Sequence, residues 1–200
     1  MKYFYTLLIT ALFALPVFAQ QQKASDLLSK TAENYRQAGG VKIEFEGSQA
    51  GKLFLMGSKF WFDTEEMEIW FDGKTQWSYL KQNGEVNITE PTPEELNTIN
   101  PYALLSSYKQ GYDLSYNGLV TRNGKQGYEI NLTPQGEQEI SYVSLVISKA
   151  YEPVYMGIFL KNGQSQQFIV RSCQTHQSLN ENLFRFDRRK YPDAEIIDMR

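Results

Sequence analysis

Cysteine and histidine are nearly missing from this chain of 200 residues, which has one of each. A single cysteine cannot form an internal disulfide, so the fold has to be stabilised by its hydrophobic core. Aromatic residues make up 14% of the chain and are able to supply such a core. Cys173 stands at the end of an apolar segment, and this position predicts a buried thiol of low reactivity.

The residue patterns of common catalytic centres are also missing. A zinc site needs several cysteine or histidine ligands, whereas His176 stands alone among polar residues and is predicted to lie on the surface. Residues 163–167, Gly-Gln-Ser-Gln-Gln, lack the second glycine of a nucleophile elbow. Glu65, Glu66 and Glu68 fit a polar turn and an outer strand face, although a carboxylate pair assembled by folding stays open. We therefore expect a protein that is not an enzyme and has no cofactor.

Positive charge is not concentrated anywhere in the chain. The net charge is −3, and the only basic run, residues 188–190, is flanked by Asp187 and Asp193. A nucleic-acid-binding protein usually presents a basic stripe. The sequence therefore predicts that nucleic acid is not a partner.

Long hydrophobic runs are confined to the N-terminus. Lys2 precedes an apolar stretch from Tyr3 to Leu15, and Val17 and Ala19 supply small residues at the −3 and −1 positions of a cleavage site. This pattern predicts a secretory signal peptide, residues 1–19, cleaved after Ala19. A membrane anchor is the less favoured alternative, because a spanning helix needs about 20 apolar residues. The pattern predicts a single exported domain, residues 20–200.

Residues 20–200 are predicted to form one helix followed by a meander of short strands. Ser25 is a good N-cap for a helix over Ala24–Gln37, and the period of the apolar residues then changes from 3.6 to 2. Thr92-Pro93-Glu94-Glu95 forms a capping box that predicts helical structure from Pro93 to Tyr108. We expect about ten or eleven strands. They cover residues 41–46, 53–56, 59–63, 67–71, 75–80, 85–89, 112–116, 125–132, 140–147, 154–160 and 165–173.

Apolar residues fall on both faces of the central strands. Phe60-Trp61-Phe62 and Ile69-Trp70-Phe71 precede an Asp72-Gly73 hairpin turn and Trp77-Ser78-Tyr79. A sheet washed by solvent needs only one apolar face. The pattern therefore predicts one curved antiparallel sheet that is covered on one side by both helices and holds something hydrophobic.

The order of these segments resembles a known family. Its most specific parts are Asp72-Gly73-Lys74-Thr75-Gln76-Trp77-Ser78-Tyr79 and the ending Phe184-Arg185-Phe186, Pro192 and Asp198; Gly51–Leu55, Lys59–Phe62, Pro101 to Leu105 and Tyr128–Pro134 lie in the same order. The chain resembles the periplasmic outer-membrane lipoprotein carriers, LolA.

The resemblance implies a mainly β fold with α, an incomplete, half-open antiparallel barrel with a helical lid over its concave face. It further implies a monomeric periplasmic carrier that takes lipoprotein acyl chains from an inner-membrane lipoprotein-releasing ABC transporter to an outer-membrane receptor. A lipid-binding sensor or structural module of the same fold, without transport, is the alternative.

The resemblance also guides the choice of candidate lipid-binding residues. We expect strand residues to line the cavity and helix residues to close it. The strand residues are Leu53, Leu55, Phe60, Phe62, Ile69, Trp77 and Tyr79, and the helix residues are Leu27, Leu28, Leu104 and Leu105. No catalytic or metal-binding residue is expected.

One position departs from the family pattern. Members carry a basic residue and proline just after the second strand, where this chain has Met56, Gly57 and Ser58. The resemblance therefore implies that the arginine which holds the lid is missing. Either release is controlled differently, through a lid that opens more readily, or the cargo is not a lipoprotein.

Overall fold

The computed structural model describes the backbone of residues 2–93, 95–96, 104–105, 108–109 and 111–200, and the side chains from residue 20 onward within those ranges. This part of the chain folds into one long α-helix and twelve β-strands, with two short 3-10 helices near the C-terminus. No helix within it is long and apolar enough to cross a bilayer.

Helix α1 runs from Lys2 to Ala38 without interruption. It therefore includes the helix expected over Ala24–Gln37 and extends back through the N-terminal apolar stretch. Its inward side is formed by residues such as Ala24, Leu28 and Thr31, which are at most 1% exposed. Gly39 follows with φ +69°, a left-handed conformation that ends a helix at little cost for glycine.

The strands form a single twelve-stranded open sheet. They are β1 (Gly40–Gly47), β2 (Gly51–Met56), β3 (Lys59–Thr64), β4 (Met67–Phe71), β5 (Gln76–Leu80), β6 (Glu85–Thr89), β7 (Tyr112–Arg122), β8 (Lys125–Pro134), β9 (Ile140–Ile147), β10 (Pro153–Leu160), β11 (Ser165–Gln174) and β12 (Glu195–Asp198). Their order across the sheet is β12-β6-β5-β4-β3-β2-β1-β11-β10-β9-β8-β7. The predicted mainly β, half-open antiparallel architecture with a helix is thus confirmed.

Two strands differ from the sequence-based expectation. β7 is 11 residues long, because a bulge between Tyr116 and Gly118 lets the pairing with β8 continue beyond the predicted end of the strand. β12 is an additional strand, so the sheet has twelve strands and not ten or eleven. It pairs parallel to β6, with Ile196 opposite Val86, and a parallel partner so distant in sequence leaves no local turn signal.

The inner face of the sheet, defined as the face that packs against α1, carries two separate hydrophobic clusters. The first joins Ala24 and Leu28 of α1 to β8, β9 and β10 through residues such as Ile130 and Leu145. The second lies on β1–β4 and β11 and reaches the end of the helix at Ala38. Alternation along the strands places the apolar residues of both clusters on one face.

The outer face of β4–β6 is covered by the C-terminal tail. Trp70 is only 6% exposed, and its ring lies 5.4 Å from Phe186 and 5.6 Å from Tyr191, centroid to centroid. The Tyr191 hydroxyl donates a hydrogen bond of 2.6 Å to Glu68, and Val86 is fully buried. The apolar residues on both faces of β4 are therefore explained by two protein layers.

The segment between β6 and β7 is described only in part. The predicted capping box is present: the Thr92 backbone N–H donates to the Glu95 carboxylate at 2.7 Å, and the Glu95 N–H donates to the Thr92 hydroxyl at 3.3 Å. Leu104 and Tyr108 are buried against the first cluster, and the Tyr108 N–H donates to the Leu104 carbonyl at 2.9 Å, as in a helix. The rest of the helix expected over Pro93–Tyr108 lies outside the described residues.

Candidate functional site

An apolar cavity of about 190 Å³ lies between the two inner-face clusters. Helix α1 contributes Thr31 and Tyr35, and the other wall residues come mainly from the strands on either side of the β1–β11 pairing. The remaining lining consists of Ile43, Phe45, Gln49, Leu53, Leu55, Phe62, Met67, Ile69, Leu105, Leu145, Val146, Ile147, Pro153, Tyr155, Met156, Gln166, Phe168 and Val170. The cavity is thus a gap in the core that the strands and helix leave unfilled.

The register of the strands explains why these side chains meet. Ile43 pairs with Leu53, Leu53 with Phe62, and Phe62 with Ile69, so one transverse row of apolar residues crosses β1–β4 on the inner face. Cross-strand neighbours on one face lie within contact distance. Phe45 stacks on Phe62 with ring centroids 5.4 Å apart, which fixes one wall.

Five of the sequence-predicted residues lie in the cavity wall: Leu53, Leu55, Phe62, Ile69 and Leu105. The structure brings these five together from β2, β3, β4 and the segment before β7.

Four further predicted residues pack beside the cavity and do not line it. Leu28, Leu104 and Phe60 are fully buried, and Leu27 packs against the first cluster. Phe60 belongs to the second cluster, where its ring lies 5.4 Å from that of Phe71. These four side chains support the wall from behind.

Trp77 and Tyr79 lie on the wrong face of the sheet for the cavity, and the expectation for them was wrong. Trp77 pairs with Trp70 on the outer face, and Tyr79 packs 4.8 Å from Tyr191 of the C-terminal tail. On β5 the inner face carries the polar side chains of Gln76 and Ser78, hydrogen-bonded to each other at 3.1 Å. The sequence of β5 alternates aromatic and polar residues, and this alternation alone does not show which face of the sheet another part of the protein covers.

Sequence reasoning missed the half of the cavity wall that comes from β9–β11. Leu145, Ile147, Met156 and Phe168 line it, and Met156 pairs with both Leu145 and Phe168 across the sheet. The period-2 pattern in these strands could have indicated an inner face. It could not indicate that β11 pairs with β1, which brings this face against the other half.

Few polar groups reach the cavity. Tyr35 on α1 is half-buried; burial raises the pKa of its phenol, and the adjacent Cys173 raises it further. Cys173, half-buried behind Tyr35, has its pKa raised to about 11, mainly by burial and secondarily by the charge of Glu152, while the hydrogen bond from Tyr35 acts in the opposite direction. Both groups are therefore neutral near pH 7, and the wall carries no charge there.

The end of the segment that precedes β7 is tied to α1. The Tyr108 hydroxyl donates a hydrogen bond of 3.0 Å to the Ser25 carbonyl and lies 2.7 Å from the Ser29 hydroxyl. In the same segment, Leu105 enters the cavity wall. One side of the cavity is thus closed by a segment that α1 holds in place.

The fold and the cavity together define a half-open β-barrel with an internal apolar cavity. Residues 15–164 match the family described as outer membrane lipoprotein carrier protein LolA. The match covers most of the chain, and the chain belongs to this family.

One solved structure agrees with this fold, and one curated protein is related in sequence. An uncharacterized conserved protein from Thermus thermophilus has a similar structure, with a TM-score of 0.59 and 14% identity, covering 88% of this chain and 98% of that one. An uncharacterized protein of Methanocaldococcus jannaschii is 25% identical over 169 residues, which are 77% of this chain. The chain spans 50% of the length of that curated relative.

Proposed function

We propose that this protein is an exported carrier that holds the acyl chains of lipoproteins in its apolar cavity and moves them from the inner to the outer membrane. The observation that supports the proposal most directly is the cavity, because its strand walls are almost entirely apolar and carry no charge. Each CH₂ group moved from water into such a site contributes about 0.8 kcal/mol. A cavity of this kind favours alkyl chains over polar ligands.

The proposal includes a route for the cargo. Residues 1–19 would be removed as a signal peptide, and residues 20–200 would work as a monomer in the periplasm. An inner-membrane lipoprotein-releasing ABC transporter would load the cavity, and an outer-membrane receptor would empty it. The family to which the chain belongs supports this route through its description as a lipoprotein carrier.

The cavity as it stands is small for such cargo. Ligand sites usually enclose about 300–1,000 Å³, and this cavity encloses about 190 Å³. Loading would therefore displace a wall element. Leu105 belongs to the segment held by Tyr108, and its outward movement would enlarge the cavity without disturbing the sheet.

Binding of N-phenyl-1-naphthylamine, a neutral hydrophobic fluorophore, tests the proposed cavity. Phe62 lines the cavity, whereas Trp77 is an aromatic residue of similar partial burial on the outer face. We expect Phe62→Gln to weaken probe binding by about fivefold or more, since an apolar contact of the order of 1 kcal/mol is lost. Trp77→Gln is the matched control and should bind the probe as the unaltered protein does.

Mass spectrometry of an organic extract then identifies the cargo. The protein is isolated from its native periplasm and extracted, and acylated peptides in the extract would support carriage of lipoproteins. If the extract contains only free phospholipid and Phe62→Gln still weakens probe binding, the protein binds lipid but its cargo is not a lipoprotein. Equal binding by both folded variants would remove the cavity itself from the proposal.

A further inference from the structure

A second cavity, with a mixed polar and apolar lining, adjoins the apolar one. It encloses about 230 Å³ at the C-terminal end of α1, where the helix meets the β9–β10 turn and the end of β11. Its lining consists of Asn34, Tyr35, Gln37, Ala38, Ala150, Tyr151, Glu152, Pro153, Cys173, Thr175 and His176. Most of these side chains carry a hydrogen-bonding group, in contrast to the wall of the first cavity. We call this second space the lower pocket.

The lower pocket and the apolar cavity share part of their walls. Tyr35 and Pro153 line both, and the Tyr35 phenol is hydrogen-bonded to Cys173 on the lower side. Tyr35 therefore forms part of the wall between the two spaces. The tip of the β9–β10 turn is meanwhile anchored to α1, since the Asn34 amide donates to the Ala150 carbonyl at 3.2 Å and Lys30 donates to the Tyr151 hydroxyl at 3.3 Å.

The sizes of the two spaces are complementary. Each is smaller than an ordinary ligand site, but together they fall within the usual range of about 300–1,000 Å³. An apolar compartment beside one that is rich in hydrogen-bonding groups matches a molecule with an alkyl chain and a compact polar head. Neither space alone has that character.

The charges around the lower pocket favour particular headgroups. No lysine or arginine belongs to its described lining, Glu152 stands at its exposed rim, and the C-terminal end of α1 contributes partial negative charge. The other titratable groups that face it are Tyr35, Cys173, His176 and Tyr151. Lys30 donates to the Tyr151 hydroxyl and lies over its ring. Lys125 acts on Cys173 electrostatically, but its ammonium group is already bonded to the carbonyls of Val170 and Arg171. Anionic heads would therefore meet the Glu152 carboxylate and the helix end, while the two nearby lysines are already bonded to other groups.

We propose that the lower pocket binds the headgroup of an amphiphile whose alkyl chain occupies the apolar cavity, and that it selects uncharged or cationic hydrogen-bonding heads over anionic ones. The proposal rests on the function proposed above for the apolar cavity and adds the position and chemistry of the polar end. Tyr35 is the residue between the two compartments.

The single cysteine of the chain provides the first test. The small thiol reagent N-ethylmaleimide labels Cys173 at pH 8.5 in the presence or absence of 1-dodecanoylglycerol, an amphiphile with a hydroxyl headgroup. We expect the amphiphile to slow labelling of Cys173 by about fivefold or more, because access to the thiol controls its reaction. N-phenyl-1-naphthylamine, which has no such head, should leave the rate unchanged.

A matched variant reports on the opposite end of the apolar cavity. Gln166 lines that cavity and is exposed, so Gln166→Cys in a Cys173→Ser background places the thiol at the other mouth. Protection of Cys173 without protection at position 166 supports the lower pocket. Protection only at position 166, or equal protection at both, overturns the lower pocket but leaves chain binding in the cavity. If 1-dodecanoylglycerol does not displace the fluorophore, the proposed function fails and this proposal fails with it.

Headgroup charge is tested by displacement of the same fluorophore with dodecylamine and dodecanoate, which have equal chain lengths. We expect dodecylamine to bind more tightly, and Glu152→Gln to reduce its advantage by about two- to fivefold, the effect of an exposed charge pair. Glu137→Gln, in the exposed β8–β9 turn, is the control and should preserve the advantage. Tighter binding of dodecanoate, or no effect of Glu152→Gln, would contradict the proposed selectivity.

Discussion

At the scale of the residue, two phenylalanines of one strand have different roles. Phe60 and Phe62 both project from the inner face of β3, but Phe60 is fully buried in the second cluster and Phe62 is half-buried in the cavity wall. A packed side chain contributes to stability, whereas one beside a cavity has already lost part of its contacts. We therefore expect substitutions of Phe60 to affect mainly stability and substitutions of Phe62 to affect mainly binding.

Truncation of these residues should show the difference. We expect Phe60→Ala to lower the free energy of unfolding by about 3–5 kcal/mol, because a filled core position becomes a void. Phe62→Ala should cost clearly less, since its ring borders an existing cavity. Urea denaturation followed by tryptophan fluorescence measures both values. Equal losses would show that Phe62 is as fully packed as Phe60.

The thiol of Cys173 should depend on pH in an unusual range. Its pKa is raised from 9.0 to about 11, so at pH 8.5 it holds far less thiolate than an ordinary cysteine, and only thiolate reacts. We expect the rate of N-ethylmaleimide labelling to keep rising to about pH 11. Because the folded thiol holds its proton more tightly than the unfolded one, its contribution to stability is lost as pH rises from 9 to 11. A labelling rate that levels off near pH 9 would contradict this.

At the scale of the element, the segment before β7 is hydrogen-bonded to α1 in a way that the sequence did not predict. The resemblance implies that an arginine is missing near Met56, Gly57 and Ser58, where the structure has the end of β2 and the β2–β3 turn. Tyr108, however, bonds to Ser25 and Ser29 of α1. The expectation of a lid that opens readily stays a prediction for the residues outside the described part. At Tyr108, near the described end of this segment, we expect protection from hydrogen exchange.

Removal of the Tyr108 hydroxyl tests whether these hydrogen bonds hold the segment against α1. We expect Tyr108→Phe to speed hydrogen exchange at residues 104–109 of the empty protein by about fivefold, as loss of a hydrogen bond worth about 1 kcal/mol implies. Mass spectrometry of peptides across that segment gives the rate. Tyr142→Phe, on the outer face of β9, should have no effect there. Unchanged exchange in Tyr108→Phe would assign the closure to Leu104 and Leu105 packing alone.

The C-terminal tail offers a second test at this scale. Tyr191 donates to Glu68 at 2.6 Å, and burial together with that carboxylate raises the pKa of its phenol. We expect Tyr191→Phe to lower the free energy of unfolding by about 1–2 kcal/mol, in line with a bond to a charged acceptor. Tyr151→Phe removes a hydroxyl that accepts a hydrogen bond of 3.3 Å from Lys30, and it should change the free energy of unfolding by less than about 0.5 kcal/mol. Similar losses in both variants would show that the hydrogen bond from Tyr191 to Glu68 contributes no more to stability than the bond at Tyr151.

These elements also show what the sequence could predict. Hairpins with local turns, such as β4–β5 across Asp72 and Gly73, were predictable because turn chemistry and alternation act over a few residues. The β12–β6 and β1–β11 pairings connect distant segments and leave no local pattern. The sequence left open which strand face lines the cavity. In the structure Leu53 and Ile69 lie on the inner face, in the cavity wall, and Trp77 lies on the outer face beside Trp70.

At the scale of the whole molecule, the core is divided into two clusters with a cavity between them. An alkyl chain in that space would contact both and couple them. Any ligand that binds only the folded state raises its stability, by about 2.7 kcal/mol when the free ligand is about 100 times its Kd. We expect 1-dodecanoylglycerol below its micellar concentration to raise the Tm in a concentration-dependent manner. Calorimetry measures the shift, and an unchanged Tm at saturating amphiphile would exclude such coupling.

The parallel strand β12 determines when the sheet can be completed during folding. The hairpins of β1–β6 can form from local contacts, but Ile196 must return from a distant part of the chain to pair with Val86, as must Phe186 and Tyr191 to cover Trp70. Until then a row of aromatic side chains and an unpaired strand edge face the solvent, a state prone to aggregation. This face can therefore be buried only after residues 186–198 have reached it, so we expect the outer face of β4–β6 to be among the last parts of the molecule to become protected during folding.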